Sequence, residues 1–138
     1  SKIFYWDSKA SKYVPTEIGL PANPLGKASG SVMIEPYVNK HGASMFVVWD
    51  TKSGASKIFY WDTNTSKYIA TEIGLPASPL GKVAGRIMIE PYVNKYGASM
   101  FVVWDTSSGT SKIFYWDSKA SAYIATEIGL PASPLKKQ

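Results

Sequence analysis

The sequence predicts an all-β protein of tandem four-stranded antiparallel meanders, stacked as propeller-like blades and closed by oligomerisation, with a β-barrel or a stacked sandwich as the alternative. Three observations carry the prediction. The heptapeptide Ser1-Lys2-Ile3-Phe4-Tyr5-Trp6-Asp7 returns at residues 56–62 and 111–117, which sets a period of 55 residues. Each period holds four short segments rich in β-branched and aromatic residues, separated by clusters of Gly, Ser, Asn and Lys. In the two middle segments both alternating faces are apolar, so both faces must be covered.

The chain opens on half a unit, residues 1–26, and continues with full units at 27–81 and 82–138, the last carrying a C-terminal tail. Together they read as a single repeat domain of ten strands. In the first full unit, strands are expected at 32–39, 44–50, 56–62 and 67–73. The first carries Pro36 in its middle, and a proline withdraws a donor from the ladder, so this strand belongs on a sheet edge. The second sets Val47 and Trp49 against Phe46 and Val48, and the third sets Ile58 and Tyr60 against Phe59 and Trp61. A simple barrel needs polar residues on the outer face of every strand, which these two do not supply. The fourth strand reads as the other edge.

The joints Lys40-His41-Gly42, Thr51-Lys52-Ser53-Gly54 and Thr63-Asn64-Thr65 are hairpin-sized. The aspartate that closes the second and third strands, Asp50 or Asp62, is expected to accept from an amide two residues on and so to end the strand. After the fourth strand, Gly74-Leu75-Pro76-Ala77-Ser78-Pro79-Leu80-Gly81 carries two prolines, which exclude a further strand or helix and make this a crossover to the next unit.

Composition narrows the function. With 45% hydrophobic and 18% charged residues, the 138-residue chain can bury a core and is not a disordered segment. No apolar run is long enough for a membrane-spanning helix, so no membrane partner is expected. No signal peptide is visible and the chain opens on Ser1, so a processed form or an excised piece is expected. The absence of cysteine removes disulfides and thiolate chemistry. The net charge of +5 comes from scattered lysines, with Arg86 the only arginine, which argues against nucleic acid as the partner.

Catalysis finds no constellation to stand on. His41 is the only histidine, and Tyr96 replaces it one unit later, so no repeated triad or metal site can depend on it. The ten carboxylates fall on four unit positions, represented by Asp62, Glu72, Glu90 and Asp105, two of which already have a turn role. No catalytic residue, no metal and no cofactor is expected. The Trp-Asp dipeptides occur twice per unit without a preceding Gly-His, so they do not make a WD40 repeat.

Residues 1–55 and 56–110 differ at only 13 positions, and the identity extends into surface turns, beyond what core packing demands. The expectation is a non-catalytic multivalent binding protein, lectin-like, that stacks a sugar's apolar face on an aromatic ring while acids and amides take its hydroxyls. The candidate residues are Glu35, Tyr37 and Asn39, their equivalents Glu90, Tyr92 and Asn94, and the pairs Trp49 with Asp50 and Trp104 with Asp105. Trp61 with Asp62 is a further pair. Glycans are the candidate ligands. The alternative is a structural or engineered self-assembling scaffold with no small ligand. A homo-oligomer is expected as well, a dimer favoured, because two and a half units cannot close a ring and the strand near Ile3 leaves an apolar edge.

Overall fold

The computed structural model of the chain describes residues 1–127 and 129–131. It is all-β, with ten strands: β1 (Phe4–Asp7), β2 (Lys12–Pro15), β3 (Val32–Val38), β4 (Ser44–Asp50), β5 (Ser56–Asp62), β6 (Lys67–Ala70), β7 (Ile87–Val93), β8 (Ser99–Asp105), β9 (Ser111–Asp117) and β10 (Ala122–Ala125). Among the described residues there is no helix, hence none long and apolar enough to cross a membrane.

The strands form a β1–β2 hairpin and two four-stranded antiparallel sheets, ordered β3-β4-β5-β6 and β7-β8-β9-β10. No sheet closes into a barrel. The registers repeat with the sequence: Val47 opposes Ile58 in the first sheet as Val102 opposes Ile113 in the second. Pro36 and Pro91 lie on β3 and β7, at the free edge of each sheet, where a missing N–H costs no ladder bond.

Two strands end earlier than the apolar pattern predicts. β3 stops at Val38 because the side-chain carbonyl of Asn39 accepts from the amides of His41 and Ala43 and folds the chain into its turn. β6 stops at Ala70. Thr71 still donates its N–H to Ile58 at 2.7 Å, and its hydroxyl then bonds the carbonyl of Ile73, which bends residues 71–73 off the sheet.

The main core lies between the two sheets. Val47, Trp49 and Ile58 from the first meet Ile87, Ile89, Phe101, Val103 and Phe114 from the second, with Leu75 of the crossover inserted among them. A second core covers the other face of the first sheet, where Val48 and Phe59 pack with Leu20 and Leu25 of the preceding crossover. The central strands β4 and β5 are therefore covered on both faces. In the second sheet one face is buried, while Val102, Trp104 and Ile113 on the other stay half-exposed.

Sheet-to-sheet approach is closest where β7 meets β3 and β4. There the indole N–H of Trp49 donates to the carbonyl of Ile87 at 2.9 Å, and the amide of Ile87 donates to Thr51 at 2.8 Å. Gly54 makes this approach possible. Its φ is +81°, and a Cβ there would stand 2.8 Å from both Ile87 Cδ1 and Pro79 Cδ.

Candidate functional site: a cleft repeated between layers

The cleft begins with a local rule in each of the hairpins β1–β2, β5–β6 and β9–β10. Trp61 lies opposite Tyr68 in the ladder, and their rings meet edge to face at 5.0 Å and 70°. Trp116 and Tyr123 repeat this at 5.1 Å and 68°, and Trp6 and Tyr13 at 5.2 Å and 71°. Although they stand on a sheet, Trp61 and Trp116 are 39% and 40% exposed, so part of each ring is open to solvent. Their aspartate neighbours do not join them. Asp62 is spent on the turn, accepting from the amide of Asn64 and the hydroxyl of Thr65, and Asp117 accepts from Lys119.

The acid that does reach the aromatic pair comes from the preceding layer. Thr16 is held by its N–H to the carbonyl of Ile3 and by its hydroxyl to the carbonyl of Ile18, which presents Glu17 at the layer boundary. Thr71 is held in the same way by Ile58 and Ile73 and presents Glu72. The result is a cleft of about 640 Å³ in which Thr16, Glu17 and Ile18 face Trp61, Thr63 and Tyr68, with Ser44 closing one side.

Fifty-five residues on, the same set returns. Thr71, Glu72 and Ile73 share a cleft with Trp116 and Tyr123. A neighbouring cleft of about 400 Å³ holds the same two aromatics with Ser99 and Ser118, and adds Asn39, Lys40 and His41 from the first sheet's turn. The two copies are thus built alike but walled differently.

The residues singled out from sequence fall in three places. Glu35 and Tyr37 lie on the side of β3 that faces the second sheet. Tyr37 packs edge to face on Phe101 at 5.5 Å, and burial, helped by nearby Tyr123, pushes its phenol well above the usual range. Burial likewise raises the carboxyl of Glu35, and the charge of Glu90 and a hydrogen bond between the two carboxyls raise it further. Asn39 and Asn94 turn the hairpins, Asn94 accepting from Tyr96 and Ala98 as Asn39 does from its own turn. Tyr92 is exposed. These residues are not gathered into one cleft.

Trp49 is buried in the core, and Asp50 is an anchor. Asp50 accepts from the amides of Ser29, Gly30 and Lys52 and from the hydroxyls of Ser29 and Ser53. Burial alone would raise its pKa, but these donors outweigh burial and hold the carboxyl well below the usual range. Asp105 repeats the arrangement with Ala84, Gly85, Ser107 and Ser108, led by the Ser107 amide, and is lowered too. Glu90, Trp104 and Asp105 are the three that do come together, in a cleft of about 650 Å³ on the half-exposed face of the second sheet. Among the described residues no group of three or more His, Asp or Glu side chains is placed to hold a metal.

Neither Glu17 nor Glu72 is among the binding residues expected from the sequence. The available signal was Thr-Glu-Ile following each short outer strand, read as strand continuation when it is the point at which the chain leaves the sheet.

No protein-family model matches the chain, and no curated protein matches it in sequence. Among solved structures, a fucose lectin from Kordia zhangzhouensis in complex with methyl-fucoside is similar over 92% of this chain and 89% of that one, with 11% identity and a TM-score of 0.41.

Proposed function

We propose that the chain is a multivalent, lectin-like carbohydrate-binding protein whose sites are the repeated clefts around Glu17, Trp61 and Tyr68, and around Glu72, Trp116 and Tyr123. The observation that carries this reading is the recurrence, one period apart, of a glutamate from one layer beside a half-exposed tryptophan and tyrosine of the next.

The chemistry suits a sugar. A pyranose has an apolar C–H face that stacks on an aromatic ring, and hydroxyls at its rim that donate well to a carboxylate. Ser44 and Thr63 in the first cleft, and Ser99 and Ser118 in the second, supply hydroxyls that can both donate and accept. Each cleft carries one glutamate, whereas glycoside hydrolysis needs two carboxyls roughly 5–9 Å apart. Asp105, beside Glu90 in the third cleft, is already filled with four donors. Binding without turnover is the reading this supports.

Titration of a panel of methyl glycosides by calorimetry, beside a printed glycan array, tests it. Weak single-site affinity is expected, with a gain of about 10²-fold or more on dense glycan surfaces. Trp61→Ala and Trp116→Ala should each remove part of the binding and the double variant most of it. A blank array, or a double variant that binds like the parent, overturns the proposal.

A further inference from the structure

Each apolar layer inside this molecule is a meeting of two unlike faces. One is presented by Val47 and Ile58 with Leu75 beside them, and the face that meets it includes Phe114. Moving 55 residues forward takes the first set to Val102, Ile113 and Leu130. There Val102 and Ile113 are half-exposed and Leu130 is 55% exposed, and Val102 and Leu130 line a cleft of about 650 Å³. Moving Phe114 back by two periods gives Phe4 on β1, 54% exposed, beside Tyr13 at 68%. Among the described residues one face of each type is therefore left open, and the interior shows what each type packs against.

We propose that these faces join two copies of the chain head to tail, the β1–β2 hairpin of one copy seating over β9 and the adjoining edge of β8 of the other, with Phe4 entering between Val102, Ile113 and Leu130. The joint is the internal layer contact continued into a second molecule. A contact of two different faces is heterologous, so its geometry differs from that of an isologous two-fold interface.

The same joint builds another cleft. Thr126 donates its N–H to the carbonyl of Ile113 at 2.8 Å, as Thr16 does to Ile3 and Thr71 to Ile58, so Glu127 leaves the sheet as Glu17 and Glu72 do. Trp6 and Tyr13 keep the ring geometry of the two internal pairs. In both internal clefts the glutamate belongs to one layer and the aromatics to the next. Seating the hairpin of one copy against the other brings Glu127 to Trp6 and Tyr13 across the junction. What this cleft would hold rests on the carbohydrate-binding reading, whereas the joint itself does not.

Light scattering without any sugar tests the joint. The parent chain is expected at twice its 15.1 kDa mass or more. Phe4→Glu and Leu130→Glu change residues that are exposed in the single chain, so each variant should stay folded by circular dichroism and run as a monomer. An equimolar mixture of the two keeps one intact joint and should recover the dimer. For the cleft, copies carrying Glu127→Cys mixed with copies carrying Ser8→Cys should be linked by a short bis-maleimide, since Thr63, the counterpart of Ser8, lines the first cleft with Glu17. The chain has no other thiol. A parent chain that stays monomeric at about 100 μM, a mixture that fails to recover the dimer, or linking of Glu127→Cys copies to one another each overturns the proposal. A blank glycan array with association intact removes the carbohydrate reading alone.

Discussion

Trp49 of the first sheet and Ile87 of the second are joined by a hydrogen bond of 2.9 Å from indole N–H to backbone carbonyl, at the point where the two sheets come closest. The bond runs between residues 38 positions apart and is fully enclosed, so it ties one layer to the next and not merely one strand to its neighbour.

Trp49→Phe should therefore destabilise the chain by about 1–3 kcal/mol, the cost of leaving the buried Ile87 carbonyl without its donor, with some loss of volume added. The counterpart Trp104→Phe sits on a half-exposed face and should change stability by less than about 0.5 kcal/mol at concentrations where the chain is monomeric. Urea unfolding of the two variants side by side checks the contrast, and equal losses would contradict it.

The depressed carboxyls of Asp50 and Asp105 set the acid limit. A group whose pKa is lower folded than unfolded lends stability above its unfolded value and withdraws it as the pH falls toward the folded one. Stability should be level near neutrality and decline from about pH 5 downward. Asp50→Asn should lower stability at pH 7 and flatten the decline, which denaturation midpoints at several pH values will show.

Glu35 works with the opposite sign. Its pKa is raised in the folded chain by burial and by Glu90, so the stability tied to this group is present at low pH and is lost as the pH rises through the folded value. Glu35→Gln should raise the melting temperature at pH 7. The gain should shrink in high salt, which screens the repulsion from Glu90, and disappear in acid.

The two internal clefts should not bind alike. Around Trp116 the turn residues Asn39, Lys40 and His41 of the first sheet add donors, while the cleft around Trp61 has no such wall. Trp116→Ala is expected to cost more affinity for a methyl glycoside than Trp61→Ala, by about threefold or more, since one added hydrogen bond contributes about 1 kcal/mol. Titration of the two single variants measures the ratio.

The fold was largely legible because it rests on local signals. Alternation along 44–50 and 56–62 marks strands covered twice, Pro36 marks an edge, and the aspartates mark where strands stop. The cleft was not legible, because Glu17 and Trp61 come from different units and nothing within either unit reveals that they meet. Tyr37 and Asn39 share one face of the expected strand, but in the structure Tyr37 packs on Phe101 while Asn39 lies past the end of β3 and closes a turn. The sequence marks Asp50 as a two-residue turn cap, whereas its bonds to Ser29 and Gly30, some twenty positions back, are a tertiary feature that no local pattern encodes.

The crossovers that carry Leu20 and Leu75 leave each sheet from its outer strand and re-enter at the free edge of the next, each delivering its own apolar plug to the layer it spans. A gene encoding this period could gain or lose whole copies by unequal recombination, and every interior side chain would still meet the neighbour it already has. Length, and with it the number of clefts, is then a quantity that evolution can adjust without repacking the protein.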